Sequence, residues 1–214
     1  KNRFKDLIQE ISKKFNYQFK IYEVNTLLKL NKKEISIIIN KYLDQSIFLI
    51  PLNEISQSIH QLKWVKNVNL STNLKNKIKV QIYEYKPIGL FSFNNQIFYF
   101  SEEGKIIEKY NKNINEKFIV FYGNKVLEKS KYFLKILDKI KHTELSNIKE
   151  AYYINERRWN IKLTNGIIVY LSEKNIETSL RNYIKLIDKL KESKINSIKS
   201  IDLRNNEKAI ISFK

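Results

Sequence analysis

Cysteine and methionine are absent from the 214 residues, and histidine occurs only twice. Without a thiol there is no disulfide, no thiolate nucleophile and no Cys/His metal site of the usual kind. The four glycines stand at 89, 104, 123 and 166, a spacing that fits neither GxGxxG nor GxxxxGK[ST]. Dinucleotide fingerprints and P-loops are thereby excluded. Long apolar runs are missing too: no stretch approaches the ~18 residues of a membrane-spanning helix, and no signal-peptide pattern opens the chain. A first residue of Lys1 is what an excised or processed piece of a longer protein would show. The lack of cysteine fits any compartment.

What is plentiful is positive charge: 40 Lys+Arg against 22 Asp+Glu, a net +18. Such a balance suggests an acidic partner, either nucleic acid or an anionic membrane surface. Only five of the 40 are arginine, however, and arginine carries most bidentate recognition of phosphate and guanine. Lys, Asn and Ile are abundant while Ala, Gly, Pro and Arg are scarce, the pattern that AT-rich codons produce. Much of the charge therefore reads as compositional drift. With 43% hydrophobic and 13% aromatic residues the chain can bury a sizeable core, and a folded chain is expected despite the charge.

Phe4, Leu7, Ile8, Ile11 and Phe15 recur at helical spacing, so residues 1 to 15 read as an amphipathic helix. It either packs on its own domain or lies beside a membrane. A short strand is expected over Phe19 to Val24, then a helix capped by Asn31 with Glu34 three residues on and Ile35, Ile38, Ile39, Tyr42 and Leu43 along one face. After Pro51, Leu52, Ile55, Ile59 and Leu62 mark a second helix, closed by Trp64-Val65. Val65 to Leu70 and the strictly alternating Lys77 to Tyr83 complete a β-α-α-β-β unit. Pro87 is expected to end it.

Beyond Pro87 strands dominate: Leu90 to Phe93, an Asn94-Asn95 turn, Ile97 to Phe100, a turn at Gly104, Lys105 to Ile107, and Glu116 to Tyr122. Glu128 to Ile140 reads as a helix. Two alternating strands around Asn165-Gly166 form a hairpin. A helix carrying Ile176, Leu180, Tyr183, Ile184, Ile187 and Leu190 follows, and Lys208 to Phe213 is the last strand.

Chemistry finds little to work with. His60 and His142 are the candidate bases, and each reads as an ordinary helix or loop residue. Glu102 and Glu103 sit beside Gly104 in a solvated turn, and no GxSxG, HExxH or DxDxDG motif occurs. Lys32-Lys33, Lys75 to Lys79, Lys139-Lys141 and Lys189 to Lys194 are spread over every element rather than gathered with aromatics on one surface, as nucleic-acid binding requires.

The β-α-α-β-β order at 19–86 resembles a POTRA domain, and particular segments resemble the FtsQ/DivIB family of bacterial division proteins. They are Leu62-Lys-Trp64-Val65-Lys-Asn-Val68, Ile82-Tyr-Glu84-Tyr-Lys-Pro87, Glu102-Glu-Gly104-Lys-Ile106, Glu156-Arg-Arg-Trp159 through Asn165-Gly166, and Ser200-Ile-Asp202-Leu-Arg204. With the β-α-α-β-β unit, all five stand in the family's order over about 190 residues. Two departures are visible: Asn25 replaces the glycine that usually follows the first POTRA strand, and Ile50-Pro51 replaces an acidic N-cap. Asparagine can also take positive φ.

The resemblance implies an α+β protein: a juxtamembrane helix at 1–18, a POTRA domain at 19–86, and a mixed β-sheet domain with helices at 87–214. It implies no enzyme, no metal and no cofactor. The function it implies is a divisome scaffold, the periplasmic part of a single-pass inner-membrane protein at the septum that links early and late division proteins. Its partners would be FtsB, held in complex with FtsL, taken as an added strand on the C-terminal edge. The residues this places at the interface are Lys208, Ala209, Ile210, Ile211, Ser212 and Phe213, with Arg181 opposite an acid of FtsB. Trp64 and Trp159 belong to cores. Other division proteins would meet the POTRA edge strand, and neither nucleic acid nor a small-molecule substrate is implied. The competing expectations are a basic nucleic-acid-binding module, from the charge, and an outer-membrane assembly chaperone, since POTRA units occur there too.

Overall fold

A computed structural model describes residues 2–111, 117–205 and 207–214. The chain divides into two compact units, Lys1–Tyr85 and Lys86–Lys214.

In the first unit, α1 (Asn2–Lys14) precedes β1 (Ile21–Val24), α2 (Lys32–Ile39), α3 (Leu52–His60), β2 (Val65–Thr72) and β3 (Lys77–Glu84). The sheet order is β1-β3-β2, with β1 parallel and β2 antiparallel to β3. Asn31 caps α2 by accepting from the Lys33 N–H at 2.9 Å. Pro51 occupies the N-cap position of α3 without a side-chain bond, and Leu52 opens the helix. Each helix turns two isoleucines inward: Ile35 and Ile39, Ile55 and Ile59. Ile78, Val80 and Ile82 of β3 and Trp64 join them in the core. The alternation of β3 thus has its physical cause, one face buried and one wet.

Two details depart from sequence expectation. Phe19 is excluded from β1 because its backbone pairs with Asp44 and Gln45 instead, at 2.9 and 2.8 Å. Asn25 has no positive φ. Its side-chain amide accepts from the Ile82 N–H at 2.7 Å and donates to the Ile82 carbonyl at 2.9 Å, so it extends the β1–β3 pairing by one step. A glycine could not do this, which is why asparagine serves here by side chain rather than by backbone.

The second unit contains β4 (Pro87–Phe93), β5 (Gln96–Ser101), β6 (Ile106–Lys109), β7 (Val120–Tyr122), α4 (Val126–Ile140), β8 (Ile148–Ile154), β9 (Arg158–Leu163), β10 (Ile168–Leu171), α5 (Ile176–Asp188), α6 (Glu192–Ser197), β11 (Ile198–Leu203) and β12 (Ile210–Phe213). Among the described residues its sheet has nine strands in the order β12-β11-β10-β9-β8-β7-β4-β5-β6. The pairs β10–β11, β4–β7 and β7–β8 are parallel and the rest antiparallel. Pro87 begins a strand rather than ending one, since a first position needs no ladder donor. Asn94 and Asn95, both at positive φ, make the two-residue turn between β4 and β5. The expected strand over Glu116 to Tyr122 is confined to Val120–Tyr122, and Glu116 lies outside the described residues.

The core of this unit gathers Phe121, Phe133, Trp159, Ile161, Val169, Leu180, Tyr183 and Ile201. Trp159 stacks on Phe133 with centroids 4.6 Å apart and is 1% exposed. Burying it removes the largest single apolar surface of the unit from water, a gain of about 3 kcal/mol or more. Helices α4 and α5 cover the sheet face that carries Trp159 and Ile161.

Candidate partner-binding edge

Strand β12 ends the nine-stranded sheet and pairs only with β11, Ser212 opposite Ser200, Ile211 opposite Ile201 and Ile210 opposite Asp202. In an antiparallel pair alternate residues exchange both backbone groups with the neighbour, and those between them aim N–H and C=O away from it. The outer side of β12 has no neighbouring strand among the described residues. It is a template for another strand.

The side chains differ from expectation in instructive ways. Lys208 and Ala209 precede the strand, which begins at Ile210, and both are exposed. Pairing fails there because β11 ends at Leu203, and Asp202 is the last β11 residue opposite β12. Ile211 packs against the core, while Ile210 is 67% and Phe213 52% exposed. Ser212 is exposed as well. Apolar surface therefore stands on both faces of an open edge.

Beside the edge, α5 and the approach to β12 enclose a cleft of about 280 Å³, lined by Lys185, Leu186 and Lys189 on one side and Asn205, Lys208 and Ala209 on the other. Its three lysines are exposed and outnumber the single acid Glu207, which leaves the rim net positive. Arg181 lies one turn before Lys185 on α5, yet its guanidinium is engaged locally, bonded to Glu177 at 2.9 and 3.2 Å. Lys139 also holds Glu177, at 2.8 Å, and the Lys139 and Arg181 bonds lower the Glu177 pKa. The structure thus brings Lys208 to the α5 surface and leaves Arg181 in an intrahelical ion pair.

The end of β11 is locked by residues whose role the sequence did not disclose. Arg204 grips the Asp202 carboxylate with Nε 2.9 Å from both oxygens and Nη2 2.5 Å from Oδ2, and its guanidinium lies 5.7 Å from the Tyr170 ring centroid. The Arg204 hydrogen bond holds the Asp202 carboxyl below its ordinary pKa against the opposing effect of burial. Because Asp202 is the register partner of Ile210, this pair fixes the chain at the start of the edge strand. A second clasp lies in the first unit. Glu84 accepts the backbone N–H groups of Leu28, Lys29 and Leu30 at 2.7, 2.8 and 2.7 Å, which fastens the loop after β1. The Asp-x-Arg spacing, which puts both side chains on one face of an extended chain, was the available signal for the first; nothing local marks the second.

On the same sheet, Tyr152 donates its hydroxyl to the buried Glu150 carboxylate, and Lys162 approaches that carboxylate at 3.6 Å. Burial first, and then Glu150, raise the Tyr152 pKa. These groups satisfy one another and offer no nucleophile. Among the described residues no group of three His, Asp or Glu is placed to hold a metal ion.

Two family models match the chain: the FtsQ-type POTRA domain over residues 19–85, and the C-terminal part of the cell division proteins FtsQ/DivIB over residues 92–204. The chain belongs to the FtsQ/DivIB family. Cell division protein FtsQ of Rickettsia prowazekii (strain Madrid E) is 28% identical over 211 residues, covering 95% of this chain and 75% of that protein. FtsQ of Rickettsia bellii (strain RML369-C) is 31% identical over 181 residues, 81% of this chain and 64% of the relative. The solved major extracytoplasmic domain of the trans isomer of DivIB from Geobacillus stearothermophilus aligns with 51% of this chain and 99% of that one, with a TM-score of 0.36 and 18% identity. FtsQ/DivIB proteins are cell-division proteins without enzymatic activity, components of the divisome whose partners are other division proteins. Among the described residues no helix is long and apolar enough to cross a membrane.

Proposed function

We infer that this FtsQ/DivIB chain is the periplasmic part of a single-pass inner-membrane scaffold at the septum, joining early and late division proteins. It takes a strand of FtsB, in complex with FtsL, onto the outer side of β12. The observation that carries this reading is the open position of β12 at the end of the sheet, with Ile210 and Phe213 exposed. An added strand gains main-chain hydrogen bonds along its length, and the side chains alternating on the two faces supply selectivity. The lysines of the neighbouring cleft favour an FtsB segment with acidic residues flanking the strand, and Arg181 can join only by exchanging Glu177 for an acid of the partner.

Another terminal strand, β1, is the reading for other division proteins: it ends the POTRA sheet on the side away from β2, and Ile21 is 51% exposed. Hydrogen exchange on the whole chain with and without its cognate FtsB/FtsL complex separates the two. Slowed exchange at alternate amides of Ile210–Phe213 is expected. Slowing confined to β1, or to helix surfaces, overturns the assignment to β12.

A further inference from the structure

Helix α1 meets its own unit with the wrong side. A surface helix ordinarily turns its apolar stripe to the core. Here the contact is polar: Gln9 donates to the Asp44 carbonyl at 2.9 Å and accepts from the Ser46 N–H at 2.6 Å, and the Ser12 and Ser46 hydroxyls are 2.6 Å apart and buried. Ile8 is half-buried beside this contact, and the rest of the apolar stripe faces away. Phe4, Leu7, Ile11 and Phe15 are 70, 52, 48 and 59% exposed, and the spacing of three, four and four keeps them on one line.

Charge frames this stripe. At ~100° per residue Arg3 and Lys14 fall along one border, and the Lys14 ammonium lies 5.8 Å from the Phe15 ring centroid. The helix carries four cations (Arg3, Lys5, Lys13, Lys14) against Asp6 and Glu10, with no acid in its first turn. We propose that α1 lies in the plane of an anionic lipid surface, with Phe4, Leu7, Ile11 and Phe15 sunk to the headgroup boundary and Arg3 and Lys14 on lipid phosphates. This goes beyond the strand-addition reading and does not depend on it.

The alternative occupant, a second copy of the helix, fits this surface less well. A stripe of four side chains buries far less than the ~1,200 Å² of a stable interface, and like-charged borders would face each other. Thirteen residues rise only ~20 Å, short of the ~30 Å apolar thickness of a bilayer, so the helix can lie on a membrane and cannot cross one. A basic, strongly amphipathic helix with its apolar side free has the make-up of an interfacial anchor. Tyr17 and Phe48, 5.5 Å apart and also exposed, add apolar surface beyond the C-terminal end of the helix.

The test is co-sedimentation of the whole 214-residue chain with vesicles, either one-third phosphatidylglycerol in phosphatidylethanolamine or pure phosphatidylcholine. Binding to the anionic vesicles is expected, weakening with salt. The double variant Leu7→Gln/Ile11→Gln should lower partitioning on the order of 100-fold, and Arg3→Gln/Lys14→Gln on the order of 20-fold at low salt. Lys129→Gln/Lys135→Gln on α4 removes the same charge elsewhere and should leave partitioning within about twofold. Circular dichroism confirms that each variant is folded. Absence of binding by the unaltered chain overturns the proposal. So does equal loss in the α4 variant, which would mean that net charge alone attracts the protein. A dimer in sedimentation equilibrium that Leu7→Gln/Ile11→Gln dissolves would assign the stripe to a second copy and overturn it too.

Discussion

A proline scan along Ile210, Ile211, Ser212 and Phe213 tests the edge strand position by position. Two alternate residues of the four give their N–H groups to β11, and the other two aim them outward. Proline at an outward position removes one donor to the added strand, worth about 1 kcal/mol net. Its ring also occupies the space in which a partner backbone must lie ~4.8 Å away. Together these amount to about 2–3 kcal/mol, or roughly 30- to 150-fold weaker binding of the cognate FtsB/FtsL complex by calorimetric titration. Thermal unfolding should hardly move, because the outward groups make no intramolecular bond. Proline at an inward position breaks the β11–β12 ladder and frees Ile211 from the core, costing about 1–3 kcal/mol of stability along with binding. The signature is a period of two in the difference between the two readouts. Affinity unchanged at all four positions in folded protein refutes strand addition at β12, as does a loss of binding that simply tracks lost stability.

The Glu84 clasp predicts that Glu84→Ala lowers the urea stability of the first unit by about 2–3 kcal/mol, since the buried Leu30 N–H loses its charged acceptor while the exposed Leu28 and Lys29 N–H groups rehydrate. A change under about 0.5 kcal/mol would refute the clasp. Asp202 titrates below its ordinary 3.8 when folded, so its contribution is complete above that value and fades as pH falls through the lower folded pKa. Unfolding midpoints of Asp202→Asn followed from pH 6 to 2 should therefore converge on those of the unaltered chain at the acid end; a gap that persists there refutes the linkage. Gly123 has φ +118, and a Cβ placed on it would stand 2.3 Å from the Tyr153 carbonyl oxygen, so Gly123→Ala should cost about 3 kcal/mol or more and lower the thermal midpoint of the second unit by several degrees. An unchanged midpoint would mean that β8 yields freely.

Much of the architecture is written locally. The alternation of Ile78, Val80 and Ile82 marks β3, the Asn94-Asn95 pair marks the β4–β5 turn, and helical spacing marks α4 and α5, because each signal arises within a few residues. Composition alone removed thiol chemistry and Cys/His metal sites, and the glycine spacing removed the P-loop. Strand β8 escaped notice because it lies between β7 and β9 in the middle of the sheet, and Ile148, Glu150 and Ala151 are all buried where a half-wet strand would alternate. The Glu84 clasp joins residues more than fifty positions apart and leaves no local trace.

The sequence by itself determined that α1 would be an amphipathic helix and that a strand would close the chain. Only the tertiary structure decided that Gln9 and Ser12, rather than the apolar stripe, face the protein, and that β12 begins at Ile210 and, among the described residues, ends a nine-stranded sheet with its outer side open. The physical reason is range. Periodicity states which residues share a face, but what covers that face depends on non-local pairing, and an edge is open only once the order of every other strand is known.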